Sequence, residues 1–425
     1  MSWIPKENLR PKAERGREQT LYYIGIDIAK QNHMAACRLS DGTPHGKAFG
    51  FANDESGFRF LLGRLDELGA GVDDSLVIME STGHYWMALW EFLVSHGFGV
   101  AVVNPALVDA FRKADTLRKT KTDLVDAFLI AEFARFKNLG PCAISPEDLE
   151  GLKQLTRYRH HLVEERTALK NRLTTVADRL FPELERVFSD RHSATANAIL
   201  SQFGSASRVA ATDIRTLTRV VREASRGHLG RKRAEEIKAL AKKSVGTTFA
   251  ADALAFEARH IAGLIEHLDT EIASLEDKIG RLIDPEVSEL LTSIPGIGPT
   301  LAATIAAEMG DPTRFDDPKK LVAFAGMDAS RHQSGKFDGD KQHMSKRGSA
   351  LLRDALMTAA DRARLYDPYF GDYYDQMRAR GKHHYVALSG CARKLCGVIL
   401  AVLREKRPYE PRPSIQSTQM TSEQA

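Results

Sequence analysis

LYYIGIDI, residues 21–28, is an apolar, β-branched run with an acid, Asp27, set near its end. Such a run reads as a buried strand. Two short strand candidates follow, HMAACR at 33–38 and GKAFGF at 46–51, separated by the turn signal Asp41-Gly42. A helix is predicted over 55–68. SLVIM at 75–79 reads as another buried strand, and it too stops at an acid, Glu80. A helix over about 85–96, the strand FGVAVV at 98–103 and one or two helices over 106–136 complete the pattern. Three adjacent strands followed by alternating helix and strand predict a mixed sheet covered by helices.

Two further acids, Asp123 and Asp126 in KTDLVDA, are three apart on a predicted helix and share a face. Ribonuclease-H-type nucleases gather carboxylates from such places: the first strand, the fourth strand and a later helix. Carboxylates crowded in one pocket repel, and divalent cations relieve the repulsion. Oxygen donors of this kind suit Mg²⁺ or Mn²⁺. A single acid at a strand end is ordinarily a turn or cap residue, and D-x-x-D on a helix is commonly a solvated face. The argument rests on all four occurring together, with Arg118, Lys119 and Lys121 beside Asp123 to meet a phosphate backbone.

From residue 146 the pattern turns helical. Leu152, Leu155, Leu162, Leu169, Leu173, Val176 and Leu180 form one seam, interrupted by Arg159 and Arg166. Ile261, Ile265, Leu268, Ile272, Leu275, Ile279 and Leu282 form a second, spaced alternately by four and three. The spacing predicts a coiled-coil arm, antiparallel to the first helix or paired with another subunit. The expected organisation is a basic leader (1–20), the sheet domain (21–145), the arm (146–286) with a basic helical insert (187–250), a helical domain (287–406) and a disordered tail (407–425).

The chain has 425 residues, 60 Lys and Arg against 56 Asp and Glu, and a net charge of +4 that conceals an asymmetry. Residues 151–250 hold 20 Lys and Arg against 10 Asp and Glu, which points to a polyanionic partner. Arg157, Arg159, Arg166, Arg172 and the run Arg231-Lys232-Arg233 are the candidate nucleic-acid contacts; for any one of them a solvated helix face is the plain alternative. The four cysteines make neither a disulfide framework nor a zinc spacing, and are expected to be reduced. No apolar run reaches membrane-spanning length and no apolar signal segment stands at the start, so a cytoplasmic protein without a membrane partner is expected.

Residues 290–303, LLTSIPGIGPTLAA, match a helix–hairpin–helix pattern. Gly296 and Gly298 permit a tight turn whose amides hold a DNA phosphate; an ordinary helical turn is the alternative. Beyond it, Ser334-Gly335 lies in a polar loop near Arg331, His332, Lys336, Lys346 and Arg347. Those cations suit a phosphate, but a serine needs activation to act as a nucleophile, and residue chemistry alone leaves Ser334 a loop serine. Ser345 and Ser349 compete with it, Ser349 as the cap of a helix starting at about 349 and Ser345 in a similar role.

Taken in order, YIGIDIAK (23–30), MESTGHY (79–85), VVNPALVDAF (102–111), KTDLVDA (121–127), LLTSIPGIGPTLAA (290–303), FAGMDASRHQSG (324–335) and SKRGSALLR (345–353) resemble the DEDD transposases of bacterial insertion sequences. These are related to the Piv DNA invertase and are known as bridge-RNA-guided recombinases. The resemblance spans about 21–403. It implies a RuvC-like domain with Asp27, Glu80, Asp123 and Asp126 as metal ligands, and Ser334 as a nucleophile forming a covalent phosphoserine. It also implies donor and target DNA, a structured guide RNA, homodimers assembling into homotetramers, and a nucleoid-associated setting. The sequence departs from the family in a longer 187–250 region and in Gly326-Met327-Asp328, which replaces a common Gly-Leu-x-Pro stretch. GIDIAK also resembles the first phosphate loop of actin-like sugar kinases, but the second phosphate loop and glycine-rich adenosine loop of those proteins are missing. A junction-resolving nuclease, a DNA invertase without guide RNA and a non-enzymatic nucleic-acid scaffold are the competing readings.

Overall fold

The computed structural model describes residues 22–115, 123–141, 147–329, 333–334, 337–338 and 343–411. The chain divides into two compact units between residues 144 and 145.

The first unit contains β1 (Tyr22–Asp27), β2 (Asn32–Arg38), β3 (Phe49–Ala52), α1 (Glu55–Glu67), β4 (Ser75–Glu80), α2 (Trp86–Ser95), β5 (Gly99–Val103), α3 (Pro105–Asp115) and α4 (Asp123–Phe136). These are the strands and helices that the apolar runs predict. The sheet order is β3-β2-β1-β4-β5. β2 runs antiparallel to β1 and β3, whereas β4 and β5 run parallel to β1. Alternation along each strand divides the core between two faces. Ile24, Ile26, Val77 and Met79 pack with Phe58, Leu61, Leu89 and Leu93, covered by α1 and α2. Tyr23, Leu76, Ile78 and Ala101 pack with Val108, Ile130, Ala131 and Ala134, covered by α3 and α4.

Gly25 belongs to this second face. A Cβ there would lie 2.1 Å from the Ala127 carbonyl oxygen and 2.5 Å from the Ala131 nitrogen, so only glycine lets α4 seat directly on β1. The same periodicity carries Asp27 and Glu80 to the α4 side at adjacent strand ends, where Ile26 pairs with Met79.

The second unit is helical: α5 (Glu147–Leu180), α6 (Ala194–Phe203), α7 (Ala206–Ala211), α8 (Ile214–Ala224), α9 (Arg231–Ala241) and α10 (Ala251–Leu282) are followed by α11 (Pro285–Thr292), α12 (Pro299–Met309) and α13 (Pro318–Phe324). Then come the two-residue strands β6 (Gln333–Ser334) and β7 (Phe337–Asp338), and α14 (Ala350–Tyr366), α15 (Pro368–Ala379) and α16 (His384–Glu405). α5 and α10 pack against each other through Leu173, Val176, Leu180, Leu254, Ala258, Ile261 and Ile265. Their ion pairs Arg159–Glu276, Arg166–Asp269 and Arg172–Glu257 run in opposite order along the two helices, which makes them antiparallel. Ile272 and Ile279 are also buried, while Leu268, Leu275 and Leu282 are half-buried.

Between these arms, α6–α9 enclose a small core of their own around Ile199, Leu200, Val209, Leu217, Val221 and Ile237. α16 is the one described helix long and apolar enough to cross a membrane. It lies in the C-terminal core, with Leu388, Cys391, Leu395, Val398 and Ile399 packed against Ala302, Ile305, Leu356 and Ala359. Burial pushes the Cys37, Cys391 and Cys396 thiols up to about 12, about 11 and about 12, which keeps them protonated and inert. Cys142 lies outside the described residues.

Candidate functional site

Asp27 ends β1, Glu80 ends the neighbouring parallel β4, and Asp126 projects from the first turn of α4, almost fully buried. Ile130, one turn beyond Asp126, sits in the core between sheet and helix, so the apolar face of α4 aims Asp126 at the strand ends. Burial first, then the negative charge of Asp27, raises the Glu80 carboxyl above the usual glutamate range. Asp126 adds to the rise, while Arg112 and a hydrogen bond from Thr82 Oγ1, 3.4 Å away, act against it. Three acids drawn from distant parts of the chain therefore share one electrostatic environment. Asp123 begins α4; its side chain lies outside the described residues.

Arg112 of α3 is the counter-charge. Its Nη2 lies 3.0 Å from Asp126 Oδ1. The pair is an electrostatic contact without hydrogen-bond alignment, and Asp126 Oδ1 and Arg112 Nε have no hydrogen-bond partner among the described residues. A buried carboxylate oxygen with open bonding capacity, among other carboxylates, is suited in donor type to a hard divalent cation. Among the described residues no three acidic, histidine or cysteine side chains converge to ligand distances. The fit to a metal is one of donor chemistry and charge.

In the second unit, the chain around Ser334 is closed at its base by backbone bonds. Ser349 N donates to Phe324 O (2.9 Å), Lys346 N to Gly326 O (3.0 Å) and Ser345 N to Asp328 O (2.8 Å), and Ala329 bridges Met344. Gly348 fits here because a Cβ would meet Phe324 O at 1.9 Å. Beyond this base β6 and β7 pair, with Ser334 opposite Phe337, so Ser334 is the last paired residue before the Gly335-Lys336 connection. Arg331, His332 and the Ser334 side chain lie outside the described residues. Lys346 and Arg347 are exposed at the base, Lys346 with φ +53°. Ser349 caps α14 through Leu352 N at 3.1 Å, as its sequence position predicts. Ser345 does not cap: its hydroxyl donates to the Asp328 carboxylate, joining the two sides of the base.

The helix–hairpin–helix candidate is formed by α11 and α12. Gly296 has φ +93°, and a Cβ there would lie 2.5 Å from Ala363 N, so this glycine serves close packing against α14. Gly298, exposed and with open space around it, precedes α12 without a side-chain cap.

Residues 24–182 match the model of the DEDD transposase domain of IS110, and residues 288–375 that of the transposase IS116/IS110/IS902 family. The chain belongs to the IS110/IS116 family of transposases. It is 27% identical over 406 residues to the insertion element IS116 44.8 kDa protein of Streptomyces clavuligerus, covering 93% of this chain and 98% of that one. It is 28% identical to the IS110 43.6 kDa protein of Streptomyces coelicolor, covering 92% and 96%. To the pilin gene-inverting protein of Moraxella bovis it is 26% identical, covering 92% and 98%. The protein is thus a transposase, an enzyme of DNA transposition or recombination.

The arginines that interrupt the seams of this transposase are held in ion pairs across the arm, with Arg159 Nη2 2.7 Å from Glu276 and Arg166 Nη1 2.6 Å from Asp269. Arg157 grips the buried Glu308 of α12 through Nε–Oε1 (2.6 Å) and Nη2–Oε2 (3.2 Å), and Ser349 Oγ donates to Glu308 Oε2 at 2.7 Å. One buried carboxylate thereby ties the first arm to the cap of α14. Arg231 and Arg233 pair within α9, with Glu235 and Glu236; Lys232 is exposed. Sequence reading missed Arg112, Glu308 and the role of Gly25. Arg112 alone had a local signal, being four residues after Val108 on the same face of α3.

Proposed function

We propose that this transposase cleaves and rejoins DNA through a covalent phosphoserine at Ser334, assisted by a divalent-metal site in a RuvC-like domain. The supporting observation is the gathering of Asp27, Glu80 and the open-bonded Asp126 on one sheet face in a chain of this family. Asp27, Glu80, Asp123 and Asp126 would hold Mg²⁺ or Mn²⁺. Such an ion, when bound, offsets phosphate charge in the transition state. The Ser334 hydroxyl oxygen bonds to phosphorus, its proton passes to a neighbouring base, and the deoxyribose oxygen leaves with its bond electrons. The phosphoserine keeps a phosphodiester, so strands rejoin without external energy. Lys346 and Arg347 hold the DNA backbone at the loop base, and the Gly298 turn holds it at the hairpin.

In this reading residues 21–145 form the nuclease domain, 146–286 a coiled-coil arm carrying the 187–250 insert, 287–406 the serine-bearing domain and 407–425 a tail. A structured guide RNA pairs with donor and target DNA, and homodimers join as tetramers, as the family likeness implies. Site-specific inversion without guide RNA is a second reading, favoured by the pilin gene-inverting relative that aligns with 92% of the chain.

The test is cleavage of a plasmid carrying the element's ends by full-length protein with its copurifying RNA, in Mg²⁺ and in EDTA. Asp27→Asn and Asp126→Asn should abolish cleavage while retaining DNA binding. Undiminished cleavage in EDTA, or in both variants, refutes the metal site.

A further inference from the structure

Helix α8 separates its residues sharply. Leu217, Val220 and Val221 face the core of the insert, while Arg215, Arg219 and Arg222 lie exposed, four and three residues apart, on the opposite side. Arg226 continues the spacing into the following turn, also exposed, with φ +51°. Arg231, at the start of α9, closes the other side of a cleft of about 440 Å³ whose lining includes Arg215, Thr218, Arg219, Arg222 and Glu223. Across residues 214–233 there are seven Lys and Arg residues and one acid, Glu223.

The contrast with the arm is informative. Arg157, Arg159, Arg166 and Arg172 each meet a carboxylate from a distant helix. Arg215, Arg222, Arg226 and Lys232 make no ion pair among the described residues, while Arg219 and Arg231 reach only the exposed Glu223 and Glu235, 3.4 and 2.8 Å away on their own helices. Like charges at such spacing repel and weaken the helix, so folding of the insert does not account for their placement. Their row on α8 rises about 10 Å from Arg215 to Arg222 at 1.5 Å per residue, longer than one phosphate and suited to a repeating anion. The cleft lining has no aromatic ring to stack a base, which favours contact with the backbone.

We infer that the α8–α9 cleft of the insert is a nucleic-acid backbone site, separate from both catalytic motifs, in which Arg215, Arg219, Arg222 and Arg231 bind consecutive phosphates of a duplex. The inference rests on the transposase acting on nucleic acid but not on its metal or serine chemistry. Binding is therefore measured in EDTA, where failure of that chemistry leaves the readout intact. The full-length chain is titrated with a DNA duplex and with an RNA hairpin of equal stem length, each at several salt concentrations.

Replacing the four arginines by Gln should flatten the log Kd against log salt slope by about 3–4 on the probe that occupies the site, at about 0.9 per lost phosphate contact. Between 50 and 200 mM salt this amounts to roughly 100-fold in affinity. The probe showing the larger change identifies DNA or RNA as the occupant, and the fourfold Lys variant should retain the wild-type slope. Unchanged slope and Kd on both probes overturn the inference. If the Gln variant melts early, Arg222→Glu carries the test at one exposed position: at least tenfold weaker binding is expected, and wild-type Kd overturns the inference.

Discussion

Substituting Gly25 by Ala probes whether the seating of α4 on β1 positions the acidic cluster. The added Cβ would begin 2.1 Å from Ala127 O and 2.5 Å from Ala131 N, both backbone atoms that cannot rotate aside. Restoring contact requires α4 to lift by about 1 Å, and a displacement of that size at a catalytic group costs on the order of 100-fold in rate. The overpacking itself costs about 3 kcal/mol, the upper end for an inserted methyl group, because the obstacle is main chain. That loss lowers the melting midpoint of the first unit by roughly 10 °C. The assays are thermal melting and plasmid cleavage, with DNA binding as the control. A Gly25→Ala protein that melts within about 2 °C of wild type and cleaves normally would refute the reasoning, since α4 would have tolerated the methyl group without moving.

Arg112→Gln should destabilise the metal-free protein by about 2–3 kcal/mol by leaving Asp126 buried without its counter-charge. Mn²⁺ should then raise the melting temperature of this variant more than that of wild type; equal shifts would show that Arg112 does not balance the cluster. Burial pushes Glu308 up, but hydrogen bonds from Arg157 and Ser349 and the charge of Arg157 outweigh it and hold the carboxyl below its ordinary 4.5. A depressed carboxylate stabilises the fold above its unfolded value, and that contribution is lost as pH falls below about 4.5 through the folded value. Urea melts should show this loss in wild type and not in Glu308→Gln, which should be less stable by about 2 kcal/mol at pH 7. Parallel pH profiles would contradict it.

β1, β4 and β5 were legible because each is a short β-branched run stopped by an acid or by Asn104-Pro105, β2 and β3 because the turn signal Asp41-Gly42 separates two short apolar segments, and the sheet faces follow from period two. What brings the acids together was not. Gly25 looks like any strand glycine until α4 is placed on it, and Arg112, although it follows Val108 by one helical turn, has its partner Asp126 on a different helix. In the arm, periodicity identified the apolar seams but misrepresented their arginines as interruptions. Their partners lie far off in sequence, 117 residues for Arg159–Glu276 and 103 for Arg166–Asp269, so only the antiparallel register of α5 and α10 reveals them. Charge counting drew attention to the central region as a whole, but it could not distinguish guanidiniums closed within ion pairs from those left open on α8. Ser349 was readable as a cap because capping is local, whereas the Ser345–Asp328 bond requires both sides of the loop base.

The central claim is that a serine in the second unit takes the DNA strand. The direct measurement is to quench a cleavage reaction in denaturant, digest the protein and DNA, and map any nucleotide-bearing peptide by mass spectrometry. The account predicts a phosphodiester-linked nucleotide on the peptide containing Ser334, absent from Ser334→Ala and from reactions in EDTA. Strand cleavage at wild-type rate by Ser334→Ala, with no nucleotide-linked peptide from wild type, would contradict it.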